Sequence, residues 1–169
     1  SPLDVEKFSE IEDVEQIPNQ VAYIGRDSYE KGIDIIKKAE SKINGNVVYC
    51  TDRPWKDAMR ILKSSSVAVV PSRIESLPTS VKEAFFLNIL VVGTNVGGIP
   101  ELIKNNETGI LIPPENPEEL SNAVNELLSN KIKAKQLSDH ANYFIKNNMT
   151  WDIIFPKYIK FYENLLKQN

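Results

Sequence analysis

Four short segments of the sequence combine cationic, hydroxyl, carboxylate and glycine residues, the groups that bind a phosphorylated ligand. They are residues 25–32 (GRDSYEKG), 51–53 (TDR), 71–80 (PSRIESLPTS) and 94–101 (TNVGGIPE). Arginine and lysine form charge-assisted hydrogen bonds with phosphate oxygens, and glycine loops and helix N-termini present backbone amides to them. If the segments meet at one edge of a sheet, they predict a site for a phosphorylated small molecule.

Each segment taken alone also has a purely structural interpretation. Gly25 would then only turn the chain, and Arg26 would be a solvated surface charge. Gly97 and Gly98 would form a plain strand-to-helix turn, and Glu75 would counter a helix dipole. Both interpretations stay open for a single segment, whereas four such segments together favour a functional site.

Glu83 is a carboxylate in the most apolar helical segment of the chain. It follows Val81 and Lys82 and precedes Ala84 and Phe85. A carboxylate near such a face needs a partner or a ligand with hydroxyl donors. The alternative is that Glu83 points to water, as we expect of Lys82, and periodicity alone leaves the two alternatives even.

Five β-branched runs predict the strands that position these segments: residues 21–24, 46–50, 67–70, 90–93 and 109–112. Most are apolar without alternation, which is typical of parallel strands covered on both faces. Helical periodicity between most of them predicts βαβ units, hence an α/β domain with a mostly parallel sheet of about five strands. Because ligands bind beyond the carboxyl ends of such strands, the four segments should share one edge.

The last third of the chain is predicted to be helical. Residues 116–119 (NPEE) form a good helix start, with Asn as N-cap and Pro at the first position. Apolar stripes predict a second helix from about Ala134 and a third from near Thr150, kinked at Pro156. We expect all three helices to be core and cover, and residues 1–20 to form an extended lead-in.

Composition excludes several classes of function. Twenty basic and 23 acidic residues among 169 give a net charge of −3, without the basic excess that nucleic-acid binding requires. Cys50 and His140 are the single cysteine and histidine, so neither a disulfide nor a cysteine zinc cluster is expected. The longest apolar stretch, residues 84–92, is too short to span a bilayer, and no secretory signal is recognised. The expected setting is soluble, reducing and cytoplasmic.

The spacing of Glu75 and Glu83 resembles the E-x₇-E signature of the glycosyl transferases group 1 (family 4), retaining enzymes of the GT-B fold. Further motifs follow in family order. They are "GVDxxKF" at residues 3–8, "GR…KG" at 24–32, "PVV…GGIPE" at 91–101, "TGxLxPP" at 108–113, the helix at 116–128 and "W…Y…YE" at 151–165. Several spaced motifs in order are specific in a way that one short pattern is not.

The resemblance implies a Rossmann-like, three-layer donor-binding domain at residues 21–130. Residues 1–20 would be an interdomain linker, and residues 131–169 would be C-terminal helices that pack on the domain and toward an N-terminal domain. The implied activity moves a sugar from a nucleoside-diphosphate sugar to an acceptor with retention of configuration. The family usually has two strands between the first helix and the Pro-Ser segment, and this chain has room for one.

The resemblance also implies roles for individual residues. Arg26 and Lys31 would bind the donor diphosphate, Glu75 would contact the sugar at the reacting centre, and these three are the expected catalytic residues. Glu83 would accept hydrogen bonds from the ribose hydroxyls. The full expected binding set is Gly25, Arg26, Lys31, Thr51, Asp52, Arg53, Ser72, Glu75, Thr79, Ser80, Glu83, Gly97 and Gly98. Within it, the amides of Thr79 and Ser80 would lie near sugar and phosphate, and residues 51–53 near the base.

The expected partners are a nucleotide-sugar donor, the N-terminal acceptor-binding domain of a parent chain, and a lipid-linked or saccharide acceptor that could place the enzyme at the inner face of a membrane. No nucleic acid or cofactor is expected. No metal is expected either, because no Asp-x-Asp sequence is present to hold a metal-bridged diphosphate. Half of an active site should not turn over alone. Two alternatives stay open: a sugar-nucleotide epimerase fragment of the same fold, and a non-catalytic nucleotide-binding or partner-docking module. A dinucleotide oxidoreductase is disfavoured because no Gly-x-Gly-x-x-Gly follows the first strand.

Overall fold

A computed structural model describes residues 1–167 and contains one five-stranded parallel sheet. The strands, in spatial order β2-β1-β3-β4-β5, are β1 (Gln20–Ile24), β2 (Asn46–Cys50), β3 (Val67–Val70), β4 (Leu90–Thr94) and β5 (Ile110–Ile112). All neighbouring pairs are parallel, so the predicted α/β class is confirmed. The chain reverses its direction of winding between β1 and β3, where ligand crevices of such sheets form.

Seven α-helices connect or follow the strands in the described chain. They are α1 (Ile33–Ala39), α2 (Trp55–Lys63), α3 (Thr79–Phe86), α4 (Ile99–Leu102), α5 (Pro117–Ser129), α6 (Lys131–Asn148) and α7 (Trp151–Lys167). One strand and one helix, β2 and α2, lie between α1 and β3, as the sequence predicts. No helix among residues 1–167 has the length and apolar character needed to cross a bilayer.

The helices cover both faces of the sheet and form three layers. Side chains alternate across each strand, so Val21 and Tyr23 of β1 face a core formed with α1 and α5, whereas Ala22 faces a core formed with α2, α3 and α6. The same alternation separates Val69 from Val70 on β3. Burial on both faces is why these strands are continuous apolar runs in the sequence.

The C-terminal helices and the lead-in differ from expectation in part. α5 and α6 are core and cover as predicted, but α7 has no buried residue, so the expectation of core and cover is wrong for that helix. α7 runs through Pro156 to Lys167. The lead-in is also more ordered than an extended segment: Glu6–Glu10 form a short 3₁₀ helix, and Phe8 packs in the core beside α2 and α3. Apolar Phe8 anchors a stretch that was predicted to be only an extended lead-in.

Candidate functional site

The carboxyl ends of β1, β2 and β3 and the start of α3 enclose an open cleft of about 600 Å³. Nine of the residues predicted from the sequence line it together: Gly25, Arg26, Lys31, Asp52, Arg53, Glu75, Thr79, Ser80 and Glu83. Four others, Thr51, Ser72, Gly97 and Gly98, are not among its lining residues. Parallel β-strands bring their carboxyl ends to a single edge, which is why segments far apart in sequence converge here.

Lys31 and Glu75 form the central ion pair of the cleft. The Lys31 ammonium donates to Glu75 Oε2 at 2.5 Å, and the two side chains are 23% and 9% exposed. The other carboxylate oxygen, Oε1, accepts from the backbone amide of Ser76 at 3.1 Å. Both oxygens are therefore fixed, and the pair places a cation and a carboxylate side by side where a charged ligand would enter.

The loop that carries Arg26 is held from below by a buried tyrosine. Tyr23 Oη donates to the carbonyl of Arg26 at 2.8 Å, and burial raises the pKa of the Tyr23 hydroxyl well above its usual range, so it stays a donor. Gly32, which ends the same loop, has φ +67°, and a Cβ there would lie 2.0 Å from the carbonyl oxygen of Pro71. Only glycine lets α1 begin this close to the end of β3.

Arg73 is committed to the protein, unlike the two arginines that line the cleft. Its guanidinium donates to both carboxylate oxygens of Asp34 at 2.6 and 2.9 Å, to the carbonyl of Tyr29 at 2.7 Å, and to both oxygens of Glu115. The same group lies 4.0 Å from the centroid of the Tyr29 ring. These bonds hold the pKa of Asp34 and of Glu115 below their usual values. Arg73 thus joins the loops that carry Lys31 and Glu75, and Arg26 and Arg53 remain in the cleft to meet a ligand.

Gly97 and Gly98 support the Glu75 loop from beneath and do not line the cleft. A Cβ on Gly97, which has φ +52°, would lie 1.6 Å from the carbonyl oxygen of Glu75, and one on Gly98 would lie 1.9 Å from that of Ser76. Ser72 is buried as well, and its carbonyl accepts from Thr94 Oγ1 at 2.5 Å. The structure therefore gives these residues contacts that support the loop presenting Glu75.

The N-terminus of α3 opens into the cleft. Pro78 precedes the helix without a side-chain cap, and Thr79 and Ser80 line the cleft at its first turn. The first amides of a helix have no partner within it, and they carry the positive end of its dipole. Because Pro78 has no amide hydrogen, Thr79 and Ser80 begin this set of donors, which suits an anionic ligand.

Glu83 points into the cleft, and Lys82 beside it is buried. Trp55 Nε1 donates to Glu83 Oε1 at 2.8 Å, and burial raises the pKa of Glu83 above its usual value although the indole bond opposes that shift. Lys82 was expected to point to water, which is wrong. Its ammonium is covered by the lead-in and donates to the carbonyl of Ser1 at 2.5 Å, and burial lowers the pKa of Lys82.

Among the cleft residues that the sequence reasoning missed, Trp55 is the one that contacts Glu83. Its signal in the sequence is an aromatic residue directly after a loop at the carboxyl end of a strand, in Arg53-Pro54-Trp55. At this end of the cleft Asp52 adopts φ +50°, an uncommon backbone conformation that is enriched in functional loops. Cys50 is buried nearby, and burial raises the pKa of its thiol to about 11, so it is not an activated nucleophile.

Comparison with known proteins places this chain in a protein family. The model of the family described as "Glycosyl transferases group 1" matches residues 37–144, more than half of the chain. An uncharacterized glycosyltransferase of Methanocaldococcus jannaschii is 24% identical over 89% of this chain and 46% of its own length. The chain spans less than half the length of the curated relatives that head the comparison.

Solved structures share the fold. Sucrose-phosphate synthase from Thermosynechococcus elongatus superposes with a TM-score of 0.81 at 21% identity, over 90% of this chain and 46% of that one. Anabaena HepE in complex with UDP-glucose superposes with a TM-score of 0.77 at 16% identity, over 86% and 49%. The ordered motifs, the parallel sheet and the family match agree, and the chain belongs to the group 1 glycosyl transferases, as a C-terminal domain of the GT-B fold.

Proposed function

We propose that this chain is the donor-binding half of a glycosyltransferase that moves a sugar from a nucleoside-diphosphate sugar to an acceptor with retention of configuration. One observation carries the proposal: a single cleft has the Lys31–Glu75 pair, Arg26 and the N-terminus of α3 on one side and the partly buried carboxylate of Glu83 on another. Cations and amides suit a diphosphate, and a carboxylate that accepts hydrogen bonds suits the hydroxyls of a ribose.

In this proposal the cations stabilise the leaving group. As the bond between the sugar and the diphosphate breaks, negative charge develops on the diphosphate, where Arg26, Lys31 and the amides of Thr79 and Ser80 would receive it. Groups that are already oriented toward such a charge need no reorganisation during the reaction, which makes them effective. Glu75 would then contact the sugar at the reacting centre, with its orientation set by Lys31 and the Ser76 amide.

Support from another protein comes from Anabaena HepE, whose structure with UDP-glucose shares the fold of this chain. We propose a nucleotide-sugar donor of the same chemical class for this chain. Its base would lie between the segments 51–53 and 71–80, beside Asp52 and Arg53. No metal is part of the proposed site, because the diphosphate charge would be met by the cations and helix amides described above.

The acceptor is proposed to bind outside this chain. The relatives are more than twice as long as the part that matches, and a GT-B enzyme forms its active site between two domains. The described cleft is open, and closure of a second domain over it would exclude water and complete the site. We therefore expect the chain by itself to bind donor nucleotide and to transfer no sugar.

The test is to remove the two cations and compare ligands with and without phosphate. In the double variant Arg26→Ala/Lys31→Ala, affinity for the tightest of UDP, GDP and ADP should fall by about 30- to 1,000-fold, because two charge-assisted contacts are lost. Affinity for the corresponding free nucleoside should change little. Isothermal titration calorimetry measures both.

A matched control is available on α2. Lys56→Ala/Arg60→Ala removes the same two residue types, which pair with Glu10 and Glu12 away from the cleft. This control should bind nucleoside diphosphates like the wild type. Equal losses for nucleoside and diphosphate in the Arg26/Lys31 variant, or an equal loss in the control, would refute the proposed diphosphate site.

A further inference from the structure

Trp55 is held on two sides. It is the first residue of α2, and its indole N–H donates to Glu83 Oε1 at 2.8 Å. The ring also meets Phe8 edge to face, with centroids 5.2 Å apart at an interplanar angle of 79°. Phe8 in turn packs on Phe86 of α3 with centroids 4.6 Å apart. Phe8 of the lead-in therefore orients the Trp55 indole. The indole N–H in turn orients the Glu83 carboxylate on α3.

Only one oxygen of Glu83 is used by this contact. A glutamate side chain has three rotatable bonds, so a free carboxylate would sample several positions in the cleft. With Oε1 held by the indole, Oε2 is the oxygen left to accept from a ligand. In the absence of ligand, the hydrogen bond from Trp55 also gives the partly buried Glu83 carboxylate a partner. A carboxylate near an apolar helix face requires such a partner.

We propose that Trp55 is a positioning residue that aims Glu83 Oε2 at the ribose hydroxyls of the donor nucleotide. This inference rests on the proposed function. In this inference Trp55 belongs to the site although it needs no contact with the nucleotide. The aromatic contact between Phe8 of the lead-in and Trp55 of α2 then contributes to the recognition of ribose.

The charged groups around Glu83 give the inference a pH signature. Lys82 on the same helix and Lys7 on the lead-in favour the carboxylate, as does the Trp55 N–H, and burial opposes them. Loss of the indole N–H removes one of the favourable contacts, so the pKa of Glu83 should rise. An ionised carboxylate accepts hydrogen bonds from hydroxyl groups better than a protonated carboxyl group does. As the pH is lowered, a variant without the indole N–H should therefore begin to lose ribonucleotide affinity at a higher pH than the wild type does.

The test uses Trp55→Phe, which keeps an aromatic ring against Phe8 and deletes the N–H. The probes are UDP, GDP and ADP and their 2′,3′-dideoxy counterparts. For whichever base binds best, Trp55→Phe should weaken the ribonucleotide by about tenfold and change the dideoxy form by less than twofold, because one charge-assisted contact that positions Glu83 is lost. In a Glu83→Gln background the same substitution should have a much smaller effect.

Trp151→Phe is the matched control, because Trp151 is exposed on α7 and lies outside the cleft. It should bind all probes like the wild type, and it leaves Trp55 as the single tryptophan of the chain. The fluorescence of Trp55 in that variant, without nucleotide, should follow the titration of Glu83, and Glu83→Gln should abolish that titration.

The outcomes separate this inference from the proposed function. If no nucleotide binds the wild-type chain, both are overturned. If nucleotides bind but Trp55→Phe weakens ribose and dideoxy forms equally, Trp55 contacts another part of the ligand and the inference alone is overturned. A Trp55 emission that does not respond to Glu83 would overturn it as well.

Discussion

Replacement of Arg73 by alanine tests whether the loops of the cleft are held by one buried guanidinium. The Arg73 side chain is 8% exposed, and it bonds to residues on three segments: Tyr29 in the first loop, Asp34 in α1 and Glu115 after β5. The backbone amide of Arg73 also donates to the carbonyl of Glu30 at 2.8 Å. The substitution therefore removes the side-chain contacts and leaves this backbone contact in place.

The size of the effect follows from the exposure of the partners. The Asp34 side chain is 41% exposed, so solvent screening limits its two bonds to about 1 kcal/mol together. The bond to the Tyr29 carbonyl contributes about 1 kcal/mol, and the stacking on the Tyr29 ring about 0.5–1 kcal/mol. The Glu115 side chain is 52% exposed, so its bonds to Arg73 add little to stability. The sum is a loss of about 2–3 kcal/mol, which for a chain of this size lowers Tm by roughly 5–10 °C.

Calorimetric and denaturant unfolding measure this loss, with Arg60→Ala as the matched control. Arg60 forms an exposed pair with Glu12, so its removal should shift Tm far less. Arg73→Lys should recover only part of the stability, because an ammonium cannot reproduce the two-pronged bonds of a guanidinium. A Tm loss in Arg73→Ala no larger than that in Arg60→Ala would refute the account of Arg73 given above.

The same substitution should change the response to acid. Asp34 has its pKa lowered in the folded protein, first by the hydrogen bond from Arg73, so it adds stability above its ordinary value of 3.8 that is lost as pH falls through the folded value. Wild type should therefore lose more stability than Arg73→Ala as the pH is lowered from 5 toward 2. Equal acid sensitivity of the two proteins would contradict this assignment.

Two further predictions concern the walls of the cleft. Glu83 has a pKa raised by burial, so it lowers stability as pH rises above its ordinary value of 4.5. Glu83→Gln should therefore unfold at a higher temperature than the wild type at pH 7 and at the same temperature near pH 3. The same variant should bind ribonucleotides more weakly. A lower Tm of the variant at pH 7 would show that the Glu83 charge is better satisfied than its burial implies. Gly97→Ala should lose at least about 1–2 kcal/mol from its left-handed backbone alone, and the displaced Glu75 loop should weaken nucleoside-diphosphate binding. Gly25→Ala is the milder comparison for unfolding, because its Cβ would first meet the end of the Tyr23 side chain, and equal losses of stability in the two substitutions would contradict the support assigned to Gly97.

Much of the fold and most of the site could be predicted from the sequence. Strands buried on both faces are continuous apolar runs, so their positions are visible in composition, and parallel pairing then brings their carboxyl ends to one edge. That reasoning alone places Arg26, Lys31 and Glu75 near one another. These residues do line one cleft, because the geometry of a parallel sheet leaves the loops no other edge.

The tertiary structure decided which of these polar groups are available. Sequence could not distinguish Arg73 from Arg26, because the partners of Arg73 lie 39 and 42 residues away and meet it only when the loops are assembled. In the same way, periodicity could not tell that the lead-in covers Lys82 and leaves Glu83 facing the cleft.

The remaining differences have a common physical cause. The local sequence shows that a helix face is apolar or that a side chain is charged. It does not show which element covers that face or side chain, because the covering element comes from elsewhere in the chain. Trp55 became part of the site because Phe8 fixes its ring and Glu83 accepts its N–H, two contacts that local sequence does not encode. The apolar side chains of α7, such as Phe155, are exposed for the converse reason: no element of the described chain covers them. Local pattern therefore determined the elements and the edge at which the site forms, and long-range packing determined the partner of each side chain.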